Sequence, residues 1–135
     1  HQAWFMGEIP RITNFEPISQ KYIFKNGDID PIIDDTALVF STHKGTIIVA
    51  GCSHSGICNI VLKAKVLIPN NPIAAIVGGF HLSQIGERLK KTIKFFKQHN
   101  IKKLYPSHCT HPKVICHLSN HFDVSWISSG DVIEF

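Results

Sequence analysis

The sequence is poor in arginine, methionine and long apolar runs. Only two Arg accompany twelve Lys, and there is a single Met in 135 residues. No apolar run approaches the ~20 residues that span a bilayer, so no membrane helix is expected. The opening His1-Gln2-Ala3-Trp4 lacks a basic stretch followed by an apolar core, so no secretion signal is expected either. No Cys-x-x-Cys pair occurs. Without a secretion signal, the four cysteines at 52, 58, 109 and 116 read as reduced thiols of a cytoplasmic protein, not as a disulfide framework. No low-complexity tract is present, and 44% hydrophobic against 18% charged residues excludes a disordered tail. The net charge of +4 is mild. Its lysines gather on one helical stretch and the chain is nearly without arginine, which argues for a solvated helix face and against a nucleic-acid partner.

What is present reads as one α/β domain, with a loop-rich lead-in over 1–35 and a sheet with three helices over 36–135. Gly7, Pro10, Pro17, Asn26-Gly27-Asp28 and Pro31 carry turn chemistry and interrupt any periodicity in the lead-in. Ala37–Phe40 and Thr46–Ala50 flank the turn Thr42-His43-Lys44-Gly45 as a hairpin, and both arms are apolar enough to be buried on both faces. Ile57, Ile60, Val61 and Ala64 follow a helical period, with Ser53 or Ser55 available as the cap. Ile73–Val77 is a short buried strand. Ile85, Leu89, Ile93 and Phe96 line one face of a helix over 85–99, opposite Lys90, Lys91, Lys94 and Lys97. Ile101–Tyr105 is the next strand, and Pro112 opens a third helix to about Phe122. Val124–Ile127 and Val132–Phe135 flank Ser129-Gly130-Asp131 as a closing hairpin. Right-handed crossovers put all three helices on one face of the sheet. The other face is apolar and has no helix to cover it, so self-association or a missing partner layer is expected there.

Nine histidines are the chemical surplus. Three share one structural address, just past a strand and just before a helix. They are His54 in Gly51-Cys52-Ser53-His54-Ser55-Gly56, His81 in Gly78-Gly79-Phe80-His81-Leu82, and His108 in Pro106-Ser107-His108-Cys109-Thr110. In an open α/β sheet that edge is where ligands bind. Neutral imidazole is the commonest side-chain ligand of a transition metal, so a divalent-metal site is expected, with zinc first and iron or manganese also suited. His111 borders the same loop. Cys52 and Cys109 lie next to these histidines and face either the pocket or the core, and a Cys–His nucleophile pair is the competing chemistry. Cys58 and Cys116 fall inside helices as small hydrophobes. Glu8 and Arg11 either form a surface ion pair or orient a small-molecule substrate, since Arg clamps carboxylate or phosphate. Asp34-Asp35 reads as a turn cap ahead of a metal ligand. His117 and His121 read as a polar helix face, and His1, His43 and His99 as exposed.

These segments, in this order, resemble a known family. Gly7-Glu8-Ile9-Pro10-Arg11 with Phe15-Glu16, Asp34-Asp35, the three histidine motifs and Gly130-Asp131-Val132-Ile133 look like the C-terminal half of a metallo-β-lactamase-fold hydrolase. The subgroup they are most similar to includes the dihydropterin–ribofuranosylaminobenzene phosphate synthases. The resemblance implies half of a four-layer αββα sandwich, a metal held by His54 and His108 with His81 as ligand or pocket residue, and a phosphorylated or pterin-like substrate. It implies hydrolase or related transferase chemistry, or else a non-catalytic association module with a residual metal site. Two positions depart from the pattern: Gly51-Cys52 stands where many members carry a bridging Asp after Gly, and Thr110-His111 where the subgroup often has Thr-Gly. The superfamily's His-x-His-x-Asp-His segment has no counterpart here. The resemblance therefore implies a fragment, a split-gene product or a degenerate homologue, with the N-terminal half as its partner and little activity of its own.

Overall fold

The computed structural model describes residues 2–135. His1, expected at an exposed terminus, lies outside them. Six strands form one sheet: β1 (Gln2–Phe5), β2 (Ala37–Thr42), β3 (Gly45–Ala50), β4 (Ile73–Gly78), β5 (Lys103–Pro106) and β6 (Asp123–Val124). Strand order in space repeats strand order in the chain. The first two pairings are antiparallel, and β3, β4, β5 and β6 run parallel. Helices α1 (Ile57–Leu67), α2 (Glu87–Gln98) and α3 (Pro112–Ser119) fill the parallel crossovers. Among the described residues, no helix is long and apolar enough to cross a membrane.

Period-two alternation sorts the strand side chains into two layers. The register aligns Trp4, Val39, Ile48, Ile76, Leu104 and Val124 in one row across all six strands. That row belongs to the main core, together with Ile57, Ile60 and Val61 of α1, Leu89, Ile93 and Phe96 of α2, and Val114 and Leu118 of α3. All three helices thus cover a single face, as right-handed crossovers require.

The opposite face carries a second row, Phe5–Leu38–Val49–Val77–Tyr105. No helix reaches it. The closing hairpin expected after Val124 does not form; instead Ile127, Ile133 and Phe135 pack across the sheet on Ile47, Ala75 and Tyr105. An apolar tail satisfies its hydrophobic pattern as well by lying over a sheet as by pairing within itself. The cover stops short of the β1–β2 edge, where Phe5 is 69% and Leu38 41% exposed, so the hairpin strand β2 is not buried on both faces. Two helices are also shorter than their periodicity suggests. Gly86 is extended and Ile85 is 54% exposed, so α2 starts at Glu87 and Ile85 leaves the buried stripe. α2 ends at the C-cap His99, followed by Asn100 with a left-handed φ of 55°, and α3 ends at Ser119.

Candidate metal centre

Parallel pairing places the carboxyl ends of β3, β4 and β5 side by side, and their loops are stitched together. Gly79 N–H donates to Gly51 C=O at 2.8 Å, and Ser107 N–H to Gly78 C=O at 2.9 Å. The buried Ser53 hydroxyl donates to Gly79 C=O at 2.5 Å, and Phe80 N–H to the Thr110 hydroxyl at 3.0 Å. Ser53 and His81 hold left-handed backbone, with φ of 57° and 48°. Such conformers cost of order 1 kcal/mol and persist where the surroundings over-determine them.

The site residues fall into two adjoining groups. The His54 and His81 rings lie side by side, tilted by 49° with centroids 4.5 Å apart, and Tyr22 meets His54 edge-on at 5.3 Å. Across the loops, His108 Nε2 lies 3.1 Å from Cys52 Sγ, while its Nδ1 meets the Ser107 hydroxyl at 3.0 Å. Cys109 Sγ approaches Cys52 C=O at 3.3 Å. The donor atoms of Cys52, His108 and Cys109 all lie within 4.8 Å of one another. Gly79 leaves room for this: a Cβ built there would run into Cys109 Sγ, Gly51 C=O and His108 Nε2. The convergent donors among the described residues are therefore two thiols and one imidazole, with the other two imidazoles against each other beside them.

The lead-in holds these loops from outside. Arg11 donates to His54 C=O at 2.9 Å and to Pro31 C=O at 2.7 Å. It makes no ion pair with the exposed Glu8 among the described residues, because its guanidinium is committed to those carbonyls. Asp35 is buried and accepts from Ser55 N–H at 2.9 Å, a loop-capping role. The start of α1 is capped by neither Ser53 nor Ser55. Glu16, 3% exposed, reaches in from the lead-in and accepts from Cys58 N–H at 3.0 Å and Asn59 N–H at 3.1 Å. Gly56, at φ 99°, has no Cβ because the Glu16 carboxyl occupies that space. His111 caps α3, accepting from Lys113 N–H at 3.2 Å, and its own N–H donates to Leu82 C=O. A hollow of about 320 Å³ borders His81 and is lined by Phe15, Leu82, Glu87 and Arg88. His108 opens on another of about 530 Å³, walled by Trp126 and Ile127 of the tail.

No protein-family model matches the chain. Its structure superposes on a crystal structure of a metal-dependent hydrolase of the β-lactamase superfamily with a TM-score of 0.79 and 26% identity, covering 98% of this chain and 53% of that one. The fold is that of the metallo-β-lactamase superfamily. Among curated proteins, the chain is 37% identical over 129 residues to the 7,8-dihydropterin-6-methyl-4-(β-D-ribofuranosyl)-aminobenzene-5′-phosphate synthase of Methanocaldococcus jannaschii, covering 90% of this chain and 44% of the synthase. It is 34% identical over 116 residues to an uncharacterized protein of the same organism, covering 84% of this chain and 42% of that protein. The chain spans somewhat under half the length of the curated relatives it matches.

The residues at this β-lactamase-fold sheet edge fit a metal. Nδ1 of His54 and Nδ1 of His81 are buried without a hydrogen-bond partner. An unsatisfied buried polar atom costs about 1–3 kcal/mol unless something binds it. Burial lowers the His81 pKa, helped by neighbouring His54 and Arg88, which keeps the imidazole in the neutral form a metal needs. Burial also pushes the Cys109 thiol up to about 11, with Cys52 adding to the rise and the His81 backbone N–H opposing it. Such a thiol is a poor free nucleophile near neutrality. Nucleophilic attack and metal binding by this sulfur both need the thiolate, so either requires the thiol to lose its proton first. Sequence reasoning missed Glu16 and Arg88. Glu16 acts across 42 residues of sequence and carries no local signal. Arg88 sits among the lysines of α2, yet its Nε is buried and unpaired beside the His81 hollow.

Proposed function

We propose that this chain supplies the metal-holding edge of a metal-dependent hydrolase or related transferase acting on a small phosphorylated or pterin-like molecule. One observation carries the reading: histidines and cysteines from three successive strand ends meet at one stitched edge, with two buried imidazole nitrogens left free. In this reading His54, His81 and His108 hold the ion, and zinc suits imidazole and thiolate donors alike. When bound, the ion lowers the pKa of a water and polarises a phosphoryl or carbonyl oxygen. Arg88 offers its unpaired Nε to an anionic group in the His81 hollow, and Glu8 stands exposed nearby in sequence to Arg11, which steadies the His54 loop. Cys52 and His111 border the pocket. The name of the methanogen relative motivates the substrate class, and four unpaired cysteines suit a reducing cytoplasm.

The uncovered Phe5–Leu38 edge of the sheet and the half-length match support a complementing half, or a second copy of this chain, as partner. The test is to measure zinc-dependent hydrolysis of a chromogenic phosphodiester by this chain alone, and then with the remaining part of the methanogen synthase supplied as a separate polypeptide. Turnover only in the mixture, abolished by His54→Ala or His108→Ala, is expected. Failure of the mixture to bind zinc or turn over substrate overturns the proposal, and so does full turnover that survives both substitutions.

A further inference from the structure

We infer that sulfur joins imidazole in holding the metal, with Cys52 and Cys109 as ligands beside His108 Nε2, so that this edge selects a thiophilic divalent ion such as zinc over a purely oxygen-loving one. The inference rests on the reading above only in placing a metal at this edge. Two donors on a tetrahedral zinc, at 2.0–2.3 Å from the ion, sit roughly 3.3–3.8 Å apart. The three donors here already lie within 4.8 Å of one another, and the Cys52 Sγ–His108 Nε2 pair at 3.1 Å. The present separations bracket that ligand spacing.

The surroundings are built for it. The Ser107 hydroxyl engages His108 Nδ1 at 3.0 Å, which orients the ring with Nε2 toward the sulfurs. Outer partners of this kind fix the tautomer of metal-binding histidines. Gly79 provides the hollow in which the two thiols face the imidazole, since any side chain there would fill it. The thiols come from two strands that flank β4, so no local Cys-x-x-Cys motif is needed to pair them. Cys52 is half-buried and His108 exposed, which leaves the ion an open side toward the hollow walled by Trp126. Binding is an exchange without electron transfer: two S–H protons leave to solvent, two metal–sulfur bonds form, and metal-bound water is displaced.

The test uses the full reduced chain with cobalt(II) alone as the probe. A near-ultraviolet sulfur-to-cobalt charge-transfer band should appear and saturate at one ion per chain. Cys52→Ser and Cys109→Ser should each lower it by about half, and the double variant should abolish it. Cys116→Ser, at an exposed thiol outside the site, should leave it unchanged. Circular dichroism of each variant separates a lost ligand from a lost fold. X-ray absorption at the zinc edge of the unsubstituted chain gives a reading that depends on no variant: a sulfur shell at about 2.3 Å is expected. Zinc bound with nitrogen and oxygen neighbours only, or a cobalt band that survives the double variant, overturns the inference. Turnover by the mixture without a sulfur shell would spare the proposed function and overturn this inference; a sulfur shell with no turnover by the mixture would do the reverse. Binding of neither ion, by the chain alone or in the mixture, overturns both.

Discussion

At the scale of single residues, the site depends most on a side chain that is absent. Gly79 has an ordinary backbone conformation, so its need for glycine is steric and local to the cluster. Gly79→Ala should therefore cost about 1–3 kcal/mol of stability by overpacking, and should weaken zinc binding beyond that loss. Urea denaturation with and without zinc checks both, because a purely structural effect would leave zinc affinity at the level of the parent chain. The cysteines divide sharply. Cys58 is fully buried, and its burial, with the Glu16 carboxylate beside it, drives its thiol pKa far upward. Cys116 is exposed, contrary to the small-hydrophobe reading that fits Cys58. Under native conditions, alkylation followed by mass spectrometry should label Cys116 first and leave Cys58 unmodified until the chain unfolds. The histidine addresses were legible in the sequence because each follows an apolar strand and a glycine or proline stop. Which side chains converge was not legible. The partners of His108 lie across neighbouring strands, and only the register and the rotation of each loop decide whether imidazole or thiol points inward.

At the scale of elements, α1 illustrates where local reading ends. Its apolar period set its position from Ile57, but its cap comes from Glu16, and Asn59 returns the favour by accepting from Ile12 and Thr13 N–H at 2.8 Å each. Helix and lead-in thus each satisfy the other's backbone. Glu16→Ala removes two charge-assisted bonds to orphan helix N–H groups and should destabilise the chain by about 1–3 kcal/mol, read as a lower thermal midpoint. Glu16→Gln should recover part of that loss, since the amide oxygen can still accept. A result of no change in either variant would mean that water caps the helix equally well. α3 opens at Pro112 as its sequence suggests, while its end at Ser119 and its capping side chain, His111, are set by the fold. The strand pattern after Val124 misled because β-branched and aromatic residues favour any half-buried extended segment, paired or not. The tail is extended cover for the sheet and adds no strands beyond β6.

At the scale of the whole molecule, the two faces of the sheet are unequal. One is sealed by three helices and the lead-in; the other is half covered by the tail. Removing residues 126–135 should expose Ile47, Ala75 and Tyr105 and raise hydrophobic-dye binding and self-association, seen by sedimentation equilibrium at micromolar concentration. Leu38→Lys in the full chain should lower any self-association without loss of fold, because Leu38 is already 41% exposed. Burial of a few hundred Å² at roughly 25 cal/mol per Å² is enough to decide between monomer and dimer. An unchanged monomer in both cases would show that the tail is not a cover and the open row is not a docking face.

The matching of spatial to sequential strand order has a kinetic consequence. Every strand pairs with the one before it, so no pairing waits for a later segment to be inserted between strands already joined. Such a sheet can accrete in the direction of synthesis, each crossover helix docking as its strand arrives. His54 and Cys52 are then laid down early, His81 next, and His108 and Cys109 only when β5 closes against β4. The ion-binding edge is complete once β5 has joined, ahead of α3, β6 and the tail, so capture of a metal by all three donors would report that the sheet has assembled through β5.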